Sequence, residues 1–500
     1  MENDKDTVKP LVRWRYSDLD GPLKNNTGDA IHNNPIPAGL PTHPKSYLNP
    51  YNFYDYYGFG KIRDDVDKKG YGQKIAIVNA YGNPNMQNDL NFFCSSLNLP
   101  TKNITTYHPA GFPTSYDSSW ALETSLDVQY CHAMAISATI MLVISPDNGF
   151  LNLRTCIQYA VNVLKADIVS MSYGAEEFSS LYTSGYDNVY ANLSAVYIAA
   201  SGDWGAQVLY PGSSPHVLSV GGTTLSGGNV NGYFQSTGPY GEVGWSGSGG
   251  GISTINNLPS YQSGWSTYSK RSVPDVSYNA GAYAVVYHTD PVTNSVGWIP
   301  VGGTSAGTPQ WASIVARMFS SGIISKNKSI INSILYNLAT SNYSNYYFDI
   351  LKGSNGYNAY YGYDLVSGLG SPKVDKFLPP PTTNTPTPTR TPTRTPTVTP
   401  TPKITPSGTP TNTPSKSIYS TPTVTPTKSS TPRVTPSITV TKTVTRTVTK
   451  STTPTWKFPK GTPSNTPTQT KTPNPTPIAS RRPIASRTPS RTPTRTPTKK

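Results

Sequence analysis

Four residues of this 500-residue chain have the types and settings that hydrolytic chemistry needs. Ser305 stands in Gly303-Thr304-Ser305-Ala306, after the apolar run Trp298-Ile299-Pro300-Val301 and before a helix-like run from Pro309 to Met318. Glycines permit the sharp turn that exposes a side chain at a strand-to-helix junction, and the free N–H groups there can hold an oxyanion. Ser305 is therefore a candidate nucleophile, although Thr304, Ser305 and Thr308 would equally serve as helix caps. Glu123 and Asp127, in WALETSLDV, are four residues apart, which stacks them on one helix face. No Lys or Arg lies between Lys102 and Arg154 to neutralise them. They read either as two solvated acids or as a pair sharing a proton at low pH, one carboxyl raised by the other. Asp203, in Ser201-Gly202-Asp203-Trp204-Gly205, sets a third acid in a glycine turn after an apolar strand, a place where Asp also serves simply to form the turn.

The elements that must position these groups are legible in the apolar pattern. Lys74 to Tyr81 (KIAIVNAY) is a short apolar run ending at Gly82-Asn83-Pro84, the signature of a strand buried in a parallel sheet. The pattern predicts helices over Gln87 to Asn98, Ser118 to Met134 and Leu151 to Leu164, and strands near Ile104 to Tyr107, Thr139 to Ile144, Ile168 to Gly174, Val196 to Gly202 and Val217 to Val220. Strands alternating with helices imply a doubly wound parallel sheet with ligands at the carboxyl ends of the strands. The segments carrying Ser172, Asp203 and Ser305 all end in turns of that kind.

Composition divides the chain into three parts. Residues 1–45 are polar and rich in Pro and Asn, an extended arm expected to wrap the core, while the aromatic stretch Tyr47 to Gly60 is expected to pack onto it. Residues 46–377 are expected to form one large α/β domain. Residues 378–500 are Thr, Pro and Ser with 19 Lys and Arg and no Asp or Glu, and Pro at every second or third position excludes helix and central strand. That leaves 22 of the 41 basic residues against all 26 acidic ones in residues 1–377, so the net charge of +15 belongs to the tail and gives no argument for a nucleic-acid-binding core. The tail reads either as an inert solvated spacer or as an electrostatic tether to an anionic surface, polymer or nucleic acid. Cys94, Cys131 and Cys156 cannot form a disulfide framework and stand in no metal-binding spacing; buried free thiols are expected. No run reaches the ~18 apolar residues of a membrane span, and the first twenty residues hold no apolar core of a secretory signal.

Nine short stretches, in order along residues 46–373, carry a resemblance: IAIVNAYGNP, ETSLDVQYCHAMA, IVSMSYGAEE, SGDWGA, YPGSSPHVLSVGGTTL, SGSGGGIS, RSVPDVSYNA, GGTSAGTPQWA and FDILKGSNGYNAYYGYDLVSGLGSP. The chain resembles the sedolisin family of serine-carboxyl peptidases. That resemblance implies a subtilisin-like doubly wound α/β sheet with helices on both faces, and activity on protein or peptide substrates at acid pH. By position it makes Ser305 the nucleophile, Glu123 the general base, Asp127 the acid that orients Glu123, and Asp203 the partner of the oxyanion. It leaves open an endopeptidase or a tripeptidyl peptidase, and a non-catalytic attachment protein working through its basic tail remains the other class. A subtilisin mechanism needs Asp, His and Ser in that order, whereas Asn79 stands where its acid is expected and none of the six histidines lies in a His-Gly-Thr turn. His132 sits about one helical turn past Asp127 and reads as core or surface filler.

Near the end of the domain, Asp349 and Asp364 flank a loop of Gly, Asn and Tyr, and two carboxylates with backbone carbonyls make an all-oxygen site suited to Ca²⁺. The resemblance implies one Ca²⁺ held by Asp349, Asp364 and the carbonyls of Ile350, Tyr360 and Gly362; the family usually has glycine where Tyr360 stands. Sedolisins are generally made with a signal peptide and a large prodomain and are secreted or lysosomal. Neither leader is legible here, so a processed form or a subset folding without a prodomain is expected, and a monomer.

Overall fold

The computed structural model describes residues 7–14, 47–59, 69–191, 194–230, 233–236, 241–324 and 331–378. The chain divides into two units, Met1–Thr395 and Pro396–Lys500, and every described residue belongs to the first. The expectations for residues 15–46 and for the Thr/Pro-rich tail beyond Leu378 lie outside the described residues.

Two short strands open the described chain, β1 (Lys9–Pro10) and β2 (Arg13–Trp14), followed by helix α1 (Pro50–Tyr57). The aromatic stretch thus becomes a helix: Asn49 caps it with a reciprocal capping box and Pro50 sits at its first turn, while Phe53 and Tyr57 are buried. Then come β3 (Lys74–Ala80), α2 (Met86–Ser96), β4 (Thr105–Tyr107), α3 (Ser118–Met134), β5 (Thr139–Ser145), α4 (Phe150–Asn162), β6 (Ile168–Met171), β7 (Tyr173–Glu176), β8 (Val196–Ala200), β9 (Leu209–Tyr210) and β10 (Val217–Leu225). Further on lie β11 (Glu242–Gly244), β12 (Val276–Asn279), β13 (Ala284–Thr289), β14 (Val296–Gly302), α5 (Thr308–Ser320) and α6 (Ile331–Tyr346).

The central sheet has eight strands in the order β11-β10-β8-β6-β3-β5-β4, with β12 pairing β10 off that path. All pairs are parallel except β10 with β11. Strands β3, β5, β6, β8 and β10 are buried nearly throughout, as a sheet covered on both faces requires. One buried cluster gathers Leu122, Leu126 and Tyr130 of α3 with Trp311, Ile314 and Val315 of α5; a second, on residues such as Val78, Val143 and Val169 that point the other way, takes Leu153, Cys156 and Ile157 of α4. All three cysteines are buried and unpaired.

The structure alters two sequence-based elements, both near the candidate site. The expected single strand Ile168 to Gly174 breaks at Ser172 into β6 and β7, and β7 leaves the central sheet to pair with β1 and β9. The strand leading into Ser305 is not part of the parallel sheet at all: β14 pairs antiparallel with β13 and with β2. The turn Asp290-Pro291-Val292-Thr293-Asn294, with Asn294 at φ 58° and Asp290 accepting from the Val292 and Thr293 N–H groups, closes that hairpin. Among the described residues, no helix is long and apolar enough to cross a membrane.

Candidate active site

Helix α3 is apolar or small on almost every side and is buried from Trp120 to Met134, so it runs through the protein interior. Asp117 caps it by accepting from the Trp120 N–H at 2.9 Å. Both of its acids are fully buried, which overturns the solvated reading of the pair. Ser305 sits in a single 3-10 turn, Thr304–Ala306, between β14 and α5, and is itself fully buried. Its Oγ donates to Oε2 of Glu123 at 2.9 Å.

Asp127 is held from two sides. Ser172 Oγ donates to Oδ1 at 2.6 Å, and Asn79 Nδ2 donates to Oδ2 at 2.9 Å. Asn79 occupies the end of β3, so the position that distinguishes this chain from a subtilisin pattern serves here as a donor to an acid on the helix. Ser172 lies at the break between β6 and β7. Neither residue was assigned a role from sequence, although both stand at the carboxyl ends of sheet strands, where function concentrates in folds of this class.

Asp203 follows β8 through Gly202, whose φ of 125° only glycine adopts readily. Oδ1 of Asp203 accepts from the Thr304 N–H at 2.9 Å and from the Thr304 hydroxyl at 2.8 Å. Its Oδ2 is buried without a hydrogen-bond partner. Gly303, at φ 102°, explains the space in front of that oxygen: a Cβ there would collide with Asp203 Oδ2 and with the carbonyl oxygen of Leu11. Leu11 belongs to the short segment carrying β1 and β2, and the Ser305 N–H donates to its carbonyl at 3.4 Å.

Three buried carboxyls in one site are costly to ionise together. Burial raises Glu123 well above its ordinary value and Asp127 adds to the rise, while the Ser305 hydrogen bond opposes it. Burial raises Asp127 to about 7 against the opposing pull of Ser172 and Asn79. Asp203 is raised to about 6 by burial, with Thr304 and the Arg13 guanidinium, 3.9 Å from Oδ2, opposing. Glu123 and Asp127 titrate as a pair rather than separately. At mildly acid pH the arrangement can keep Asp203 neutral, with one proton and one charge divided between Glu123 and Asp127. His132 takes no part, since its Nε2 bonds the Pro100 carbonyl at 2.7 Å and burial lowers its pKa.

The candidate metal residues also meet around one loop. Asp349 Oδ1 accepts from the Tyr343 hydroxyl at 2.8 Å and the Gly362 N–H at 3.1 Å. Asp364 is buried, accepting from Val366 and Ser367 N–H groups through Oδ1 and from the Tyr360 N–H through Oδ2 at 3.2 Å. The Gly362 carbonyl accepts from Tyr343 at 3.2 Å, and Ile350 is buried beside Asp349. Burial raises Asp364 to about 6. Among the described residues, no three His, Cys, Asp or Glu side chains group to hold a metal ion.

The fold has known counterparts. The Subtilase family model matches residues 127–363. Kumamolisin of Bacillus sp. (strain MN-32) is 31% identical over 348 residues, 61% of this chain and 59% of that protein. Sedolisin of Pseudomonas sp. (strain 101) is 26% identical, covering 60% of this chain and 56% of its own length. Tripeptidyl-peptidase 1 of Dictyostelium discoideum is 28% identical over 51% of this chain and 46% of its own length. A solved structure of Pseudomonas sedolisin, a serine-carboxyl proteinase complexed with two molecules of pseudo-iodotyrostatin, superposes with a TM-score of 0.56 at 25% identity, covering 66% of this chain and 97% of that one. Sheet and helices together define a subtilisin-like α/β fold, in which the Ser305 hydroxyl faces the Glu123 carboxyl. In sequence the chain is similar to kumamolisin and sedolisin, and in fold to sedolisin. It spans between about half and six-tenths of the length of these curated relatives.

Proposed function

We propose that this protein is an acid-active serine-carboxyl endopeptidase, with Ser305 as nucleophile, Glu123 as general base, Asp127 as the group that orients it and Asp203 in the oxyanion hole. The observation that carries the reading is the 2.9 Å hydrogen bond from Ser305 Oγ to Glu123, joining residues 182 positions apart in a buried site. Ser305 Oγ attacks the scissile carbonyl carbon as its proton passes to Glu123. The Ser305 N–H and the proton on Asp203 Oδ2 then donate to the developing oxyanion, in a site that excludes water. Asp203 does this only when neutral, which its raised pKa favours below about 6. Glu123 returns its proton to the leaving amine as the tetrahedral intermediate collapses to the acyl-enzyme. A water enters by the same route in reverse, giving up its proton to Glu123 and attacking the acyl carbon, and Ser305 Oγ leaves with that proton. Asp127, fixed by Ser172 and Asn79, spreads the remaining charge of the pair.

The endopeptidase form of the reading, rather than the tripeptidyl one, is supported by the length of the cleft. Backbone from Thr7 to Leu11 lies on one side of Ser305 and Val12 to Trp14 on the other, which is more room before the serine than three residues need. Cleavage of a peptide library between pH 3 and 7 tests the function. Internal cuts by the wild type at acid pH support it; products that are solely N-terminal tripeptides favour the alternative.

Asp349, Asp364 and the carbonyls of Ile350, Tyr360 and Gly362 are proposed to hold one Ca²⁺. The all-oxygen donor set suits a hard cation, as does the buried Asp364, whose hydrogen-bond donors among the described residues are backbone N–H groups and the Ser367 hydroxyl. Bound there, the ion would tie the loop around residues 360–364 to Asp349 and keep Asp364 ionised. The basic tail is proposed to contact anionic surfaces or polymers through its 19 unopposed charges.

A further inference from the structure

A cavity between α4 and β7 takes no part in the mechanism above, and we propose that it binds a small monovalent anion, a halide such as chloride, between Arg154 and Tyr173. Its empty space is about 240 Å³ with the open mouth included. Phe150, Leu153, Arg154 and Ile157 form one wall from a single face of α4, and Tyr173 of β7 and Tyr186 belong to the others. Tyr173 directly follows Ser172, whose hydroxyl holds Asp127, so the cavity adjoins the strand end that backs the candidate site.

Two donors of this cavity have nothing to bond. Arg154 Nε is buried without a hydrogen-bond partner, and so is the Tyr173 hydroxyl, on a residue only 2% exposed. No ion pair among the described residues includes Arg154, and its guanidinium lies 5.6 Å from the centre of the Tyr186 ring. Burial pushes Tyr173 well above the ordinary phenol range, so its hydroxyl keeps its proton and stays a donor. Buried polar groups without partners call for a water or an ion. A guanidinium charge taken out of water is costly without a counter-charge.

The chemistry of the wall decides which it is. A water accepts from both donors but brings two protons of its own, and the lining offers them no carboxylate or amide side chain. An anion satisfies both donors, balances the guanidinium and suits the electropositive edges of the rings. Two donors leave most oxygens of a sulfate or phosphate unsatisfied, so a monatomic ion fits best. Arginine, more weakly hydrated than an ammonium, gives up its water readily to such a partner. One acid opposes binding. Asp187 is outside the lining, and its carboxyl bonds Ser214 beside His216, but its charge reaches Tyr190 and Tyr210 of the wall. Affinity against that field is expected to be millimolar.

The test melts the full chain at pH 7 in about 0.1 M sodium gluconate, and again with gluconate replaced by chloride, bromide or sulfate at equal ionic strength, beside Arg154→Gln and Tyr173→Phe. The expected result for the wild type is a melting temperature about 2 °C or more higher in chloride and bromide than in gluconate or sulfate. Neither variant should show that gain. In parallel, the chloride NMR line width added by the wild type should exceed that added by Arg154→Gln, and bromide should remove the excess. The difference between the two proteins cancels whatever chloride the basic tail holds. A gain of equal size in all three proteins would put the anion elsewhere and overturn the inference. No gain in the wild type, or equal line widths, would leave the cavity to water and overturn it as well. Should Arg154→Gln fail to fold, Tyr173→Phe decides both comparisons. None of these readings requires turnover, so this inference and the peptidase reading fail separately.

Discussion

Replacing Asp203 by Asn separates the charge of this residue from its geometry. Asp203 Oδ1 is already committed to the N–H and hydroxyl of Thr304, so the Asn carbonyl oxygen takes that place and its Nδ2 falls where Oδ2 now faces the Leu11 carbonyl without a partner. The variant keeps the shape and both hydrogen bonds, and it presents a donor at every pH. In the wild type the folded-state value is raised from 3.8 to about 6, mainly by burial. The folded state thus holds the proton more tightly than the unfolded one. The associated stability is fully present below the unfolded value and is lost as pH rises through the folded one. Roughly two units at ~1.4 kcal/mol each gives about 3 kcal/mol lost between pH 3.8 and 6. Arg13, half-exposed and 3.9 Å away, offsets little of this. Urea unfolding of both proteins at pH 4 and pH 7 should therefore show Asp203→Asn gaining about 2–3 kcal/mol on the wild type between the two pH values. Peptidase activity of the variant should also persist further above pH 6 than that of the wild type. Parallel stability curves from pH 4 to 7, or a variant that loses ground at pH 7, would refute the burial argument.

Gly303→Ala should abolish turnover and lower stability by at least the ~1–3 kcal/mol of a residue forced to φ 102°, because its Cβ collides with Asp203 Oδ2 and fills the space proposed for the oxyanion; thermal melts and turnover of an added peptide check both. Chelation by EGTA should lower the melting temperature, and an unchanged melt in the full-length protein would count against Ca²⁺ at Asp349 and Asp364. Full-length protein should be retained on an anionic matrix in a salt-sensitive way that residues 1–377 are not, and equal elution of the two would assign the tail to an inert spacer.

The parallel sheet was legible because its strands are short apolar runs bounded by Gly and Pro, a pattern that survives without knowledge of neighbours. Helix α3 matches its sequence-based bounds of Ser118 to Met134, since the Asp117 cap and the end of the buried run mark it locally. The antiparallel β13–β14 hairpin was not legible, because Trp298 to Val301 is apolar enough to read as a parallel strand and only pairing partners distinguish the two. The four candidate catalytic residues could be named from local motifs. What motifs could not supply was burial, which turns Glu123 and Asp127 from an ordinary exposed pair into a coupled one. Asn79 and Ser172 carry no motif and acquire meaning only through the distances to Asp127. Leu11 and Arg13 lay in a polar arm whose sequence holds no sign of where it docks; their contacts arise from pairings across more than a hundred residues.

Activation of Ser305 by a carboxylate is tested most directly by the pH dependence of peptide cleavage. Initial rates on one internally cleaved peptide, from pH 3 to 7, should be highest at acid pH for the wild type and decline as Asp203 ionises near pH 6. Ser305→Ala and Glu123→Gln should each fall by roughly 10⁴-fold or more. Full activity in Ser305→Ala, or a wild-type rate that climbs to a plateau at pH 7, would contradict it.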